Sequence, residues 1–367
     1  MKGVRSVLMR GGTSKGVFLM DSHLPSPGAE RDAVLLKLMG SPDPSKMQLD
    51  GMGGGISSTS KVAIMRRIED KLHGDMAEYL FGQVALDEPK VAWDGSCGNL
   101  ATAAGLFALE QKLFHAGELR QSDFSPSHRI VPVWQANSKY RMHIHIPVDS
   151  NTEEVCTDGV PGTAPPILVE VIDPCGDSLF PSGNVSDTLL LTDGRRIRAT
   201  MLFAANPVVF VKATDLGLNG TELPCTELFK VLGPELEILK TQTAKKMNMD
   251  PNNAALRVCW VASPTDYVST TGLLVPASSV DIMSRITTEG RIHHAHTATG
   301  AMNLAVACCI PGTVPHAMLE SLNKSNKVRI GHPAGVLTAF ASTTEYKVKS
   351  AGLVRTARTI LEGTAFI

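Results

Sequence analysis

The stretch VAWDGSCGNLATAAGLFALE, Val91 to Glu110, restricts how this chain folds more than any other. A short apolar strand (Val91 to Trp93) enters a polar turn (Asp94, Gly95, Ser96), and a helix is expected to begin near Cys97. Leu100, Ala103, Ala104, Phe107 and Ala108 recur at the spacing of a helix with one buried face. A first-turn Cys97 would lie beside unpaired backbone N–H groups and the positive end of the helix dipole. Both favour a thiolate, and both would equally hold a carboxylate. The plainer reading is a small buried hydrophobe, the usual fate of a free cysteine. Gly95 and Gly98 favour the functional reading, because they let a ligand or a second backbone approach closely.

The second half of the chain repeats features of the first. Val209-Phe210 echo Val17-Phe18, and Asn303-Leu304-Ala305 echo Asn99-Leu100-Ala101, both roughly 200 residues on. Two domains of one ancestry are expected, 1–185 and 186–349, with the terminal segment 350–367 returning to the first. Opposite Cys97, the second helix start offers only Thr297 or Ala301, so a symmetric two-thiol site is not expected.

With 367 residues there is ample length for two cores. A formal net charge of -1 provides no global field for nucleic acid or an anionic membrane. No apolar run reaches the roughly 18 residues of a membrane span, and the N-terminus lacks a signal-peptide core. Seven cysteines without paired spacing argue against a disulfide framework. A cytoplasmic protein is expected.

Along the chain, Arg10 to Gly16 (RGGTSKG) forms a strand–turn–strand whose Gly12, Thr13, Ser14 and Lys15 could surround an oxyanion. It is not a Walker loop, because the Gly-Lys-Ser/Thr order is absent. A helix is expected over Ala29 to Met39, stopped by Gly40-Ser41-Pro42. The loop DGMGGGISSTSK, Asp50 to Lys61, is the richest in glycine and hydroxyls, and such a loop inside a domain usually binds something. At its end Lys61 opens a strand, either as an ordinary solvent-facing lysine or as a base. His143 and His145 are expected to face solvent. His293, His294 and His296 lack a further ligand at a suitable spacing, so no metal site is assigned. Arg329, Arg355 and Arg358 could meet a carboxylate or remain solvated.

Together RGGTSKG, GSPD (Gly40 to Asp43), DGMGG with SSTSK, FGQVALDEP (Phe81 to Pro89), CGN (Cys97 to Asn99), PSGN (Pro181 to Asn184), IPGT (Ile310 to Thr313) and GHPAG (Gly331 to Gly335) span the whole chain. The sequence resembles the family of 2-methylaconitate cis-trans isomerase, 3-methylitaconate delta-isomerase and 4-oxalomesaconate tautomerase. The resemblance implies an α+β fold of two pseudo-repeated diaminopimelate epimerase-like domains, each a mostly antiparallel sheet wrapped around a central helix, with the site in the cleft between them. It implies Lys61 and Cys97 as catalytic residues and no cofactor or metal. Gly12, Thr13, Ser14, Lys15, Ser57, Ser58, Thr59, Ser60, Ser96, Gly98, Asn99, Thr299, Gly300 and His332 would hold a di- or tricarboxylate substrate. Ser96 stands where many relatives carry Asn, and the SSTSK form looks closer to the methylaconitate branch. A homodimer is compatible with this reading, and no sequence feature decides it.

The implied chemistry is allylic isomerisation. A carbon-bound proton leaves one end of a three-carbon unit and another returns at the far end, through a dienolate that N–H donors must stabilise. The alternatives are a keto-enol tautomerase, a racemase, which two facing thiols would have favoured, and a carboxylate-binding protein without turnover.

Overall fold

The structure is a computed structural model, and it describes every residue except 1–2, 150–151, 176–177, 252, 254, 289–290, 320–326 and 345–346. The chain forms two compact units. One comprises Met1–Glu170 with Val354–Ile367, the other Val171–Leu353.

The first unit contains β1 (Gly3–Gly11), β2 (Ser14–Met20), α1 (Ala29–Met39), β3 (Lys61–Ile68), β4 (Met76–Val84), β5 (Val91–Ala92), α2 (Gly98–Glu110), β6 (His128–Gln135) and β7 (Tyr140–Pro147). After them come two short strands, β8 (Val155–Cys156) and β9 (Thr163–Ala164), and then β10 (Ile167–Ile172), along which the chain leaves the unit. The second unit holds β11 (Asp187–Leu190), β12 (Arg196–Ala204), β13 (Asn206–Lys212), α3 (Thr226–Lys246), β14 (Arg257–Ala262), β15 (Tyr267–Val268), β16 (Leu274–Val275), β17 (Ile282–Thr288), β18 (Arg291–Ile292), α4 (Ala298–Cys309), β19 (Lys327–His332), β20 (Gly335–Thr344) and β21 (Lys347–Arg355). The chain then returns, and β22 (Ala357–Phe366) pairs antiparallel with β1.

The two units share one topology. In the first, β1 and β2 form a hairpin, β2 runs parallel to β3, β3 pairs antiparallel with β4, β4 runs parallel to β6, and β6–β7 is a hairpin. In the second, β12–β13, β13–β14, β14–β17, β17–β19 and β19–β20 repeat those five relations in the same order and sense. Each β2–β3-type parallel link needs a long crossover, supplied by α1 in one unit and α3 in the other. The sequence reading placed no element at α3; the helix runs through Gly233-Pro234 and buries Leu232, Leu236, Leu239 and Thr243 on one stripe.

The central helices differ from the one-faced helix expected. Around α2, Ala101, Thr102 and Gly105 are buried as fully as Leu100, Ala103, Ala104, Phe107 and Ala108. The helix packs against β1, β2, β3, β4, β6, β7 and β22, so sheet surrounds it and its small residues fit the tight sides. A Cβ at Gly105 would lie 2.6 Å from Ile144 Cγ2. In the second unit α4 is likewise buried from Ala298 to Cys308, and Cys309 is only partly so.

Of the two β7 histidines expected to face solvent, His143 is partly exposed, and only the other departs from the expectation. His145 is buried, its Nδ1 2.6 Å from Ser122 Oγ and its Nε2 3.4 Å from Glu170 Oε2. Period-two alternation gives a solvent face only where nothing covers the sheet, and here further chain covers it. Among the described residues no helix is long and apolar enough to cross a membrane.

Candidate active site

Cys97 precedes α2 as its N-cap, one step before the first-turn position expected. Its backbone is extended, and its Sγ accepts from the Leu100 N–H at 3.4 Å, the role an Asp or Ser oxygen plays at most helix starts. On another side Ser14 Oγ lies 3.6 Å from Sγ. The N–H groups of Gly98 and Asn99 have no acceptor among the described residues. The sulfur therefore stands beside two unspent donors at the positive end of a helix, where an anion is favoured.

The β1–β2 hairpin is tighter than the seven-residue motif implies, since strand pairing continues to Gly11 opposite Ser14 and only Gly12-Thr13 turn. Gly12 has φ +49°, a left-handed conformation that glycine adopts freely. Its N–H donates to Thr356 O at 2.9 Å. The two hairpin glycines admit α2: a Cβ at Gly11 would be 2.7 Å from Asn99 O, and one at Gly12 2.5 Å from Asn99 Oδ1. Among the described residues the buried Thr13 Oγ1 has no hydrogen-bond partner.

Lys61 is buried at 8% exposure and so departs from the solvent-facing alternative. Its Nζ donates to Gln83 Oε1 at 2.5 Å and lies 5.1 Å from the centre of the Phe81 ring. Gln83 is directly opposite Lys61 in the β3–β4 ladder. Its Nε2 donates to Ser57 O at 3.1 Å and Ser60 O at 2.8 Å, which turns Oε1 toward the lysine. The partner of Lys61 is thus a neutral amide fixed by the glycine-rich loop. A Cβ at Gly16 would meet Lys61 Cβ at 3.2 Å and Leu100 Cδ2 at 2.9 Å. The same Leu100 that bonds Cys97 through its N–H therefore adjoins the stem of Lys61.

The loop is tied down at several points. Lys15 N–H donates to Ser58 O at 2.9 Å. Thr59 closes a turn on Ile56. Ser60 Oγ donates to Val84 O and accepts from Gln48 Nε2, so its hydroxyl holds the loop to the sheet. Ser96 lies against Tyr140. Burial pushes the Tyr140 phenol up to about 12, with Ser96 opposing and Cys97 reinforcing the shift. Tyr79 is pushed well up by burial and next by Cys97, and its hydroxyl donates to Cys97 O at 3.2 Å. Both phenols are neutral near pH 7.

Three of these residues were missed from the sequence. Gln83, Tyr79 and Tyr140 lie on strands where period-two patterning marks them only as inward-facing. Arg355 is buried, its Nε donating to Asn99 Oδ1 at 3.2 Å. Burial lowers its guanidinium to about 10, an effect partly offset by Asp158.

The remaining predicted residues belong to the second unit. Thr297 caps α4 through Oγ1, which accepts from Gly300 N–H at 3.2 Å, and Thr299 Oγ1 accepts from Asn206 Nδ2 at 3.3 Å. His332 is buried at the end of β19, and its Nδ1 accepts from Ala334 N–H at 3.2 Å. His296 is buried as well, between Ser284 Oγ and the Thr297 carbonyl, both at 3.0 Å. Among the described residues no cluster of three or more His, Cys, Asp or Glu could hold a metal ion.

Comparison with known proteins adds to this geometry. The family described as PrpF protein matches residues 1–367. A 2-methyl-aconitate isomerase of Shewanella oneidensis is 36% identical, covering 98% of this chain and 96% of its own length. A 3-methylitaconate isomerase of Eubacterium barkeri is 33% identical over the same shares of both chains. The crystal structure of a methylitaconate-delta-isomerase superimposes with TM-score 0.84 at 31% identity, covering 99% of this chain and 95% of that one.

Proposed function

We propose that this chain, which belongs to the PrpF protein family, isomerises an unsaturated tricarboxylic acid of the methylaconitate or aconitate type, with Lys61 and Cys97 as the two proton carriers. The observation that carries this reading is that Cys97 and the stem of Lys61 both border Leu100. Cys97 Sγ bonds its N–H, and its side chain shares the Gly16 gap with Lys61. Relatives named for such isomerisations at 33–36% identity support it.

In the proposed reaction the Lys61 amine takes a carbon-bound proton next to a substrate carboxylate. The electron pair spreads over the three-carbon unit as a dienolate, and the Cys97 thiol returns a proton at the far end, leaving a thiolate. One proton is taken and one is given, so the product is an isomer. Cys97 is reprotonated and Lys61 deprotonated before the next turnover, and the roles reverse with direction. The dienolate is the difficult species, and the unspent Gly98 and Asn99 donors would stabilise it. The hydroxyls of Thr13 and Ser14 and the loop of Ser57, Ser58 and Thr59 would hold the carboxylates, Ser60 being buried with its hydroxyl spent within the protein. Rotation within the delocalised intermediate accounts for a cis-trans outcome.

The test is proton NMR in D2O with cis- and trans-aconitate, 2-methylaconitate, methylitaconate and oxalomesaconate. Deuterium uptake with interconversion of one member is expected, and each proton carrier should be worth about 10²- to 10⁴-fold. Lys61→Met and Cys97→Ala should each abolish conversion at that level. Cys97→Ala within a few-fold of the parent rate would refute the assignment. Conversion of oxalomesaconate alone would replace isomerase by tautomerase.

A further inference from the structure

The ladder that builds the hairpin also aligns three cations. Arg10 on β1 stands directly opposite Lys15 on β2 and directly opposite Arg358 on β22. Residues paired in this way project from the same face of the sheet, and neighbouring strands lie about 4.8 Å apart. Like charges in such a row repel, and sheets elsewhere avoid them.

The same strands do avoid them elsewhere. At the other end of the β1–β22 pair, Arg5 is bonded to Glu362 at 2.6 Å, and on β3–β4 Arg66 directly faces Glu78, also at 2.6 Å. At the hairpin end no such compensation exists. Among the described residues Arg10, Lys15 and Arg358 have no carboxylate within 4.0 Å. The chain as a whole carries only -1, so the row is a local excess and not part of a basic protein.

Two further features set the row beside the hairpin turn. Arg10 Nη1 donates to Gly12 O at 3.1 Å and Thr356 O at 2.8 Å, so the half-buried guanidinium curls toward Gly12-Thr13, where the orphaned Thr13 hydroxyl lies. An added Cβ at Gly54 would lie 3.5 Å from Lys15 Nζ, which puts the ammonium against the glycine-rich loop. By face, the row is distinct from the Lys61–Cys97 site. Met9, Gly11 and Ser14 alternate with it, and it is that alternate side of the hairpin that meets α2 and Cys97.

We propose that Arg10, Lys15 and Arg358 form a second anion-binding row that takes one carboxylate of a polycarboxylate ligand at the back of the hairpin. The row faces away from Lys61 and Cys97 and is therefore a second site, which goes beyond the isomerase reading and does not depend on it. The ligand's anion supplies the counter-charge that the strands lack, and the field of three cations draws a trianion toward the hairpin. Arg358 is the exposed member, so it is the one to change.

The experiment is calorimetric titration with propane-1,2,3-tricarboxylate, which has no double bond to move and so reports binding independently of turnover. At low salt Arg358→Gln is expected to weaken binding by about three- to tenfold. Arg358→Lys should retain it, and the loss should close at several-fold higher ionic strength as the row is screened. Arg5→Gln, which removes one positive charge from the paired end of the same strands, should change nothing and serves as the charge control. Unchanged affinity in Arg358→Gln, an equal loss in Arg5→Gln, or no binding to the parent protein would each overturn the row. If the titration behaves as expected while no panel compound exchanges deuterium, the isomerase reading fails and the row stands.

Discussion

Gly11→Ala isolates the close approach of hairpin and helix on which the candidate site rests. Gly11 does not have the left-handed φ of Gly12, so an alanine there meets no backbone penalty of that kind. What it meets is the first turn of α2, with Asn99 O at 2.7 Å, Leu100 O at 2.9 Å and Leu100 Cα at 3.0 Å from the new methyl. All three are backbone atoms, so no side chain can swing away. Relief requires the hairpin and helix to part by about half an ångström or more, and overpacking of this kind costs about 1–3 kcal/mol of stability. The displacement acts directly on Cys97, Gly98 and Ser14. Misplacement by about an ångström costs a reaction roughly 10²-fold, so kcat should fall by about one to two orders of magnitude. Urea unfolding and single-turnover rates by NMR measure the two effects separately, and Gly363→Ala, which meets nothing within 4 Å, is the control. A Gly11→Ala protein destabilised as expected but turning over within about threefold of the parent would show that hairpin–helix spacing does not set the chemistry.

Other expectations follow from the same contacts. Gln83→Leu removes the acceptor of Lys61 and one donor each from the carbonyls of Ser57 and Ser60, the latter keeping its bond from the Val84 N–H, so it should cost about 1–3 kcal/mol in urea unfolding and lower kcat. Thr13→Val removes a buried hydroxyl that lacks a partner, so the unfolding midpoint should hold or rise while KM for the substrate increases. Stability should fall in alkali. Burial holds Cys259 up at about 12 against an ordinary 9.0, so below pH 9 folded and unfolded chains both keep this proton, and above it the unfolded chain loses the proton first. That thiol alone removes about 1.4 kcal/mol per pH unit until pH approaches its folded value. Cys259→Ala should flatten the decline measured by urea midpoints between about pH 9 and 10.

Much of the fold was legible in the chain. The helix–strand order around Cys97, the stop of α1 at Gly40 and the hairpin strands all followed from local patterning, because caps, turns and periodicity act over a few residues. The helix α3 has its stripe in Leu232, Leu236 and Leu239, but Gly233-Pro234 interrupts the local pattern and only packing carries the helix through it. In the site, Cys97, Lys61 and the glycine-rich segments stood out because their residue types are unusual for their positions. Gln83 did not, since a glutamine on a strand carries no signal until the register sets it opposite Lys61.

By itself, then, the sequence determined which residues can carry protons and which segments can bend sharply enough to approach them. Those are properties of single side chains and short stretches of backbone. Only the tertiary structure decided that α2 is enclosed on every side, that His145 is buried, that Arg355 reaches Asn99, and that Arg10, Lys15 and Arg358 share one face. Each of these depends on pairing between strands distant in the chain, and that pairing is settled by the burial of whole sheet faces and not by local preference.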